Sequence, residues 1–344
     1  MNLPQPPDHW NIERLTEERA AAIGAFGFSP RQARFLLEVL IHSGVFVERQ
    51  YCQFAGITHG QKTTDFLHRL VERGYARPIA TGAAHRGRLF HVHHKPLYAA
   101  IDQADNRHRK RMPMGRMIER LMVLDAVVAD RTVTWLGTEF DKRSYFMRGL
   151  RDPKVKLEEY PRLTFGTGAT AKHRYFPDKL PIGIDREDHV FVYLVTNAAP
   201  MEFRLFLLRH AELLRHLYRW TIRVLMPAPF TSAIRLFGHA ARETLATPLP
   251  PSNAEVLPSL FRERQRRPHA SVDATDPTLQ SLWHAYSAPR FRALFRVWQQ
   301  RGDSAVWEAQ SCRLRDMLQD GQGRVEFVKL THQYCHLSSL VGVA

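Results

Sequence analysis

Cysteine is scarce in this sequence: Cys52, Cys312 and Cys335 are the only three among 344 residues. Being few, far apart and odd in number, they exclude a disulfide framework and a zinc ribbon, and they suit a reducing compartment. Long apolar runs are missing too. No stretch approaches the ~20 residues a spanning helix needs, and the opening Met1-Asn2-Leu3-Pro4 lacks the charged-then-apolar layout of a signal peptide. Neither GxxxxGK[ST] nor GxSxG occurs, so a nucleotide-driven motor and a hydrolase nucleophile elbow are not expected. Gly166-Thr167-Gly168-Ala169-Thr170 is glycine-rich but has no lysine and reads as a turn. Acidic residues are in deficit: 34 Asp plus Glu stand against 49 Lys plus Arg, a net charge of +15, with 18 histidines in reserve. That excess points to a polyanionic partner, with double-stranded DNA first and no membrane role.

What is present has the balance of a globular protein, 44% hydrophobic and 24% charged, and a length that suggests two domains. Residues 1–27 read as an N-terminal arm, with a short amphipathic stretch around Ile12, Leu15, Ala22 and Ile23. Ser29-Pro30 is a helix cap followed by proline at the first helical position. The apolar spacing of Phe35, Leu36, Val39 and Leu40 continues that helix until Gly44 stops it. An extended Val45-Phe46-Val47, a helix through Ala55, a glycine-containing turn at 57–60 and a helix from Gln61 to Glu72 follow, the last with Phe66, Leu67, Leu70 and Val71 as its buried stripe. Two strand-like runs, Tyr75–Ile79 and Arg88–His93, complete the order of a winged helix-turn-helix over residues 28–104.

Residues 105–115 read as a basic linker, Asn106-Arg107-His108-Arg109-Lys110-Arg111 followed by Met112-Pro113-Met114-Gly115. Over 116–228 the expectation is two helices (116–129 and 138–147), strands at 163–165, 173–184 and 189–196, a helix over 201–218 and a strand over 221–226, together a small mixed α/β sheet domain. Residues 229–344 read as a C-terminal helical region, with helices near 230–245, 279–300 and 304–318. The fold class is therefore α+β.

The helix at 61–72 begins with donors able to reach base edges or phosphates: Gln61, Lys62, Thr63 and Thr64, then His68 and Arg69. Arg86 and Arg88 (beside His85, His91 and His93) put cations on the wing, and Arg107, Arg109, Lys110 and Arg111 are expected to lie along phosphates. No metal centre is expected. His91 with His93, and His332-x-x-x-His336 around Cys335, have ligand spacing but no convincing further ligand, and no HExxH or CxxC is present. Trp283, Tyr286, Phe291, Phe295 and Trp298, interleaved with arginines, read as a buried helical face with a basic exterior rather than a stacking platform for single strands.

Tyr175-Phe176-Pro177-Asp178 followed by the strand Phe191-Val192-Tyr193-Leu194-Val195 carries a family resemblance. By element order over residues 28–226, the chain resembles the plasmid replication-relaxation family of mobile elements, in which a winged helix-turn-helix precedes a restriction-endonuclease-like domain. The resemblance implies a PD-(D/E)xK site, in which two carboxylates hold a divalent metal and a lysine orients the attacking water. Pro177-Asp178 matches the first motif. The second would fall on Tyr193-Leu194-Val195, which supplies neither carboxylate nor ammonium. Substitutes would have to come from Glu139, Asp141, Asp185, Glu187 or Asp188, with Lys179 or Lys142 as the cation. The reading favoured is a degenerate PD-(D/E)xK nuclease fold, without catalysis or cofactor.

The expected function is thus a cytoplasmic, nucleoid-associated, sequence-preferring double-stranded DNA-binding protein of a mobile element or of a replication/transcription control system. Its second domain would form a homodimer or recruit a protein partner. One alternative is a Mg²⁺-dependent DNA nuclease using Asp178, Glu139 and Lys179. The other is an adaptor in a transposition or defence complex.

Overall fold

The computed structural model of the protein describes residues 11–79, 88–148, 155–166, 170–266 and 277–337, and its class is mixed α and β. Helix α1 (Ile12–Gly24) starts where the Asn11 side chain accepts from the amides of Glu13 and Arg14. Helix α2 (Pro30–Glu38) starts at a reciprocal cap between Ser29 and Gln32, with Pro30 where its missing N–H costs nothing. It runs on into a wider turn over Val39–Ser43. Gly44 stops it in the left-handed region at φ 75°, where a methyl group would stand 2.5 Å from the His108 carbonyl oxygen.

Strand β1 (Val45–Val47), helices α3 (Glu48–Ala55) and α4 (Gln61–Glu72), strands β2 (Ala76–Ile79) and β3 (Leu89–Val92) and helix α5 (Lys95–Ala99) follow. The three strands form an antiparallel sheet in the order β1-β3-β2. Phe35, Phe46, Tyr51 and Phe66 are buried at its heart, with the Tyr51 and Phe66 rings 4.3 Å apart.

The second sheet has five strands in the order β10-β9-β8-β7-β4. Helix α6 (Met114–Ala129) leads into β4 (Thr134–Leu136) and helix α7 (Glu139–Arg148). Strands β5 (Arg162–Phe165) and β6 (Lys172–Tyr175) form a separate hairpin. Then come β7 (Ile182–Asp185), β8 (Asp188–Leu194), helix α8 (Met201–His216) and β9 (Arg219–Met226). Strands β8, β9 and β10 (Gly323–Lys329) run parallel, and β7 and β4 continue antiparallel. Helices α9 (Ile234–Ala241), α10 (Pro251–Arg266), α11 (Pro277–Ala285), α12 (Pro289–Arg301), α13 (Ser304–Glu308) and α14 (Arg313–Gln319) lie between β9 and β10. Phe261, Leu294, Val297 and Trp298 are buried in a core of their own among these helices, with Phe295 stacked on Trp298, so the tail aromatics form a packed face. Among the described residues no helix is long and apolar enough to cross a membrane.

Three expectations change. The strand expected over 173–184 is two strands in different sheets. The prolines at 177 and 181 deny the ladder two donors, and Phe176 and Lys179 take positive φ (46° and 56°) to turn the chain between them. The region 229–344 is not wholly helical, because β10 returns to the sheet. The alternation Arg324, Val325, Glu326, Phe327 carries that signal, with Val325 and Phe327 packed on the large core. Residues 105–115 are not a free tether. His108 is buried, its Nδ1 meets the Leu40 carbonyl at 3.3 Å, and its own carbonyl accepts from His91 Nε2 at 2.9 Å.

Helix α6 faces both ways. Leu124 and Val128 join the core of α2–α5, while Met117, Leu121 and Val127 pack between Val45, Val47 and Leu89 on one side and Val190, Val192 and Leu194 on the other. Gly44→Ala should destabilise the protein by about 1–3 kcal/mol, through positive φ and the clash with His108. Its melting temperature, measured against wild type, checks this.

Candidate functional site

On α4 the buried stripe is Thr63, Phe66, Leu67 and Leu70. Thr63 is fully buried with its hydroxyl 3.6 Å from Cys52 Sγ, so it belongs to the α3–α4 packing and is withdrawn from the candidate contacts. Val71, expected inside, is exposed. Thr63 stands three residues before Phe66, and that spacing shares a face on a helix. Gln61, Lys62, Thr64 and His68 are exposed. The Gln61 amide donates to Asp65 at 2.6 Å and His68 lies 3.4 Å from Glu72, so this face carries both signs of charge. Lys62 has no ion-pair or hydrogen-bond partner among the described residues. Arg69 does have one: its guanidinium donates to the Gly27 carbonyl at 3.0 Å and ties α4 to the turn before α2.

On the wing, Arg88 is exposed; Arg86 lies outside the described residues. His91 and His93 do not form a metal pair, since His91 serves His108 and His93 Nδ1 meets the Tyr75 carbonyl at 3.3 Å. His332, Cys335 and His336 do not share a helix: only 335–337 form a single tight turn. Among the described residues there is no cluster of three or more His, Cys, Asp or Glu that could hold a metal ion.

The packed basic segment presents Arg107, Lys110 and Arg111 to solvent, while Arg109 is half-buried and donates to the Ala104 carbonyl at 3.1 Å. Much of Arg107 reaches water, yet partial desolvation, followed by repulsion from Arg120, Arg174 and Arg116, lowers its pKa to about 10. Arg116 and Arg120 come from α6 and Arg174 from β6. This convergence across three elements has no signature in sequence order.

The Pro177-Asp178 region forms a small pocket with Lys142, Lys179, Phe191, Phe206 and His210. Asp178 sits in the loop between β6 and β7 rather than on a strand, and its Oδ1 accepts from Arg209 at 2.7 Å. Its Oδ2 is buried without a partner among the described residues. Lys142, from α7, is 1% exposed; its Nζ donates to the Leu180 carbonyl at 2.6 Å and lies 5.6 Å from the centre of the Phe176 ring. Burial lowers its pKa from the ordinary 10.5 to about 8, against the raising fields of Asp141, Asp178 and Glu139. His210 is held by the Phe206 carbonyl at 2.9 Å, and burial lowers its pKa to about 4, so it is neutral at pH 7.

Glu139 and Asp141 are committed elsewhere. Glu139 accepts from the Tyr175 amide at 3.2 Å. Asp141 caps α7 against Thr138 and forms a buried ion pair with Arg19 of α1 at 3.0 Å. Asp188 pairs with Arg219 at 3.3 Å, Asp185 lies at the end of β7, and Lys179 is exposed on the turn. The pocket's free volume is about 10 Å³, on the order of the space one water molecule needs.

A wider cleft of about 340 Å³ opens between α6 and the β9–β10 edge, lined by Asp125, Arg223, Glu326, Lys329 and His332 among others. Its charges answer one another: Arg223 bonds Asp130 and Glu326, and Asp125 accepts from Arg49, Gln50 and Tyr334.

Lys142 gives the pocket a pH signature. Its folded-state pKa lies below its unfolded value, so below about pH 8 keeping this lysine charged and buried subtracts from the stability of the folded chain, and this penalty is relieved as pH rises from about 8 to 10.5. Denaturant unfolding should therefore show wild type gaining stability relative to Lys142→Met across that window; parallel pH profiles would contradict the assignment. No family model matches the chain, and neither the curated proteins nor the solved structures contain a match to it.

Proposed function

We propose that the chain is a sequence-preferring double-stranded DNA-binding protein of a mobile element or of a replication/transcription control system, acting in the cytoplasm at the nucleoid. In this reading α2–α4 with β1–β3 form a winged helix-turn-helix, and α4 enters the major groove through Gln61, Lys62, Thr64 and His68. The observation that carries it is Lys62 exposed on α4 without a charged or hydrogen-bonding partner among the described residues, beside strands β2 and β3, which are antiparallel neighbours. The convergence of Arg116, Arg120 and Arg174 on Arg107, only partly offset by the Glu119 carboxylate that pairs with Arg116 at 2.6 Å, supports a second, phosphate-directed contact, because a surplus of positive charge is stabilised when a polyanion arrives.

The β4-β7-β8-α8-β9 order, with an antiparallel β4-β7-β8 half and α8 as the crossover between the parallel neighbours β8 and β9, supports the nuclease-like comparison at the level of architecture. The pocket at Asp178 favours a non-catalytic role, because Glu139 and Asp141 are engaged in structural bonds.

Arg69 is unsuitable as a test of DNA contact because it braces α4 against Gly27. Lys62→Ala is suitable. Fluorescence anisotropy with a duplex, repeated over a series of salt concentrations, should show weaker binding and a log K versus log[salt] slope reduced by about one unit. An unchanged slope removes Lys62 from the interface. Arg107→Ala combined with Arg174→Ala should lower the slope further, by about two units in all if both contact phosphate. Cleavage of DNA with Mg²⁺ that disappears in Asp178→Ala would select the nuclease alternative instead.

A further inference from the structure

The five-stranded sheet ends on β10, seven residues long and, among the described residues, paired with β9 alone. Its ladder fixes which backbone groups face outward. Trp220 donates to the Gln322 carbonyl, and Leu330 donates to the Met226 carbonyl. In a parallel strand the N–H and C=O of one residue point the same way and alternate along the chain. The even-numbered residues of β10 therefore turn toward β9, and Gly323, Val325, Phe327 and Lys329 present their backbone groups outward. Among the described residues these outward groups have no hydrogen-bond partner. Such an edge is a template for another strand.

The side chains choose the strand. When a strand pairs antiparallel with its own copy, the two-fold axis sets the register, and of the centres that bring outward backbone groups face to face, those on Val325, Glu326 and Phe327 overlap at least five of the seven strand residues. Centred on Glu326, the pairing sets two glutamates directly opposite each other. Centred on Phe327, it sets Glu326 against Val328 and Arg324 against Leu330, giving neither a charged partner across the seam. Centred on Val325, it sets Arg324 against the second copy's Glu326, and Glu326 against the second copy's Arg324. Gly323 and Phe327 exchange backbone bonds, as do the two Val325 residues.

The charge pairs then fall at non-hydrogen-bonded positions, where opposed side chains are closest. Glu326 is prepared for this: its Oε1 is held by Arg223 at 2.5 Å, while its Oε2 has Arg324 of its own strand only at 4.0 Å. Val328, 37% exposed on the strand, supplies apolar surface at this edge.

We propose that β10 is a self-association surface. Two copies of this chain join β10 to β10, antiparallel and centred on Val325, so that two five-stranded sheets become one continuous ten-stranded sheet. This pairing does not depend on DNA being the ligand of α4.

Light scattering of the full-length chain during size-exclusion chromatography should give twice the chain mass. Arg324→Glu sets like charges opposite each other at two places and should raise the dimer dissociation constant roughly tenfold or more. Val325→Pro removes an N–H that the internal ladder does not use and should give a monomer; circular dichroism reports whether each variant keeps its fold. Val325→Cys, oxidised, should yield a cross-linked dimer on a denaturing gel that reducing agent dissolves and that wild type, with its three native cysteines, does not form. A monomeric wild type at the highest soluble concentration overturns the proposal. So does a dimer indifferent to Arg324→Glu, or one lost in Arg324→Glu while Val325→Cys fails to cross-link.

Discussion

Helix α6 is the wall on which both sheets rest. Its two apolar faces pack Leu124 and Val128 into the first core and Met117, Leu121 and Val127 against the second. Hydrophobic packing alone is non-directional and leaves the angle between the two modules free. A polar knot fixes it. Arg49 and Gln50 at the start of α3, Asp125 of α6 and Tyr334 beyond β10 share hydrogen bonds of 2.6–3.0 Å, and the Gln50 amide also donates to the Leu121 carbonyl. Residues from three distant stretches are satisfied together, and removing one orphans the others in a buried setting. At the opposite end, Arg19 and Asp141 join α1 to α7 by an ion pair with both side chains nearly inaccessible. Breaking such a pair leaves an uncompensated buried charge, which is costly even where forming the pair contributes little.

Local chemistry in the first module was legible because it is written in neighbouring residues. Ser29, Pro30 and Gln32 state a helix start, Gly44 states its stop, and the bounds of α4 follow from its apolar spacing. The same spacing contained the burial of Thr63, which polar type alone disguised. Farther along the chain the information is non-local. Strand β4 is three residues long and gains its identity from Gly183 and Ile184 across the ladder. Strand β10 shows the right alternation but sits after six helices, and neighbouring signals favoured more of the same.

The candidate site was legible in part for the same reason. Lys62 and Thr64 could be named because a helix displays them by geometry. The meeting of Arg107, Arg116, Arg120 and Arg174 could not, since Arg174 arrives on a hairpin whose position depends on the whole second sheet. Near Asp178, residue types suggested chemistry that packing has diverted. Lys142 hands its proton-bearing nitrogen to the Leu180 carbonyl and the Phe176 ring, and His210 is neutral in an aromatic box with Phe191 and Phe206. These groups specify one arrangement of the loop at the expense of desolvation, and the strained φ values of Phe176 and Lys179 are sustained by it.

The placement of β10 has a consequence during synthesis. Strand β9 ends at Met226 and the strand that covers its outer side begins at Gly323, roughly a hundred residues later. At ribosomal speeds that interval is on the order of 5–20 s. Throughout it, the outward groups of Trp220, Ile222 and Val224 stand unpaired on a nascent sheet, and Trp220 has yet to meet the glycine that lets its ring lie flat. The helices α9 to α14 emerge during that wait, so the outer border of β9 stays an open template for pairing until the last strand arrives.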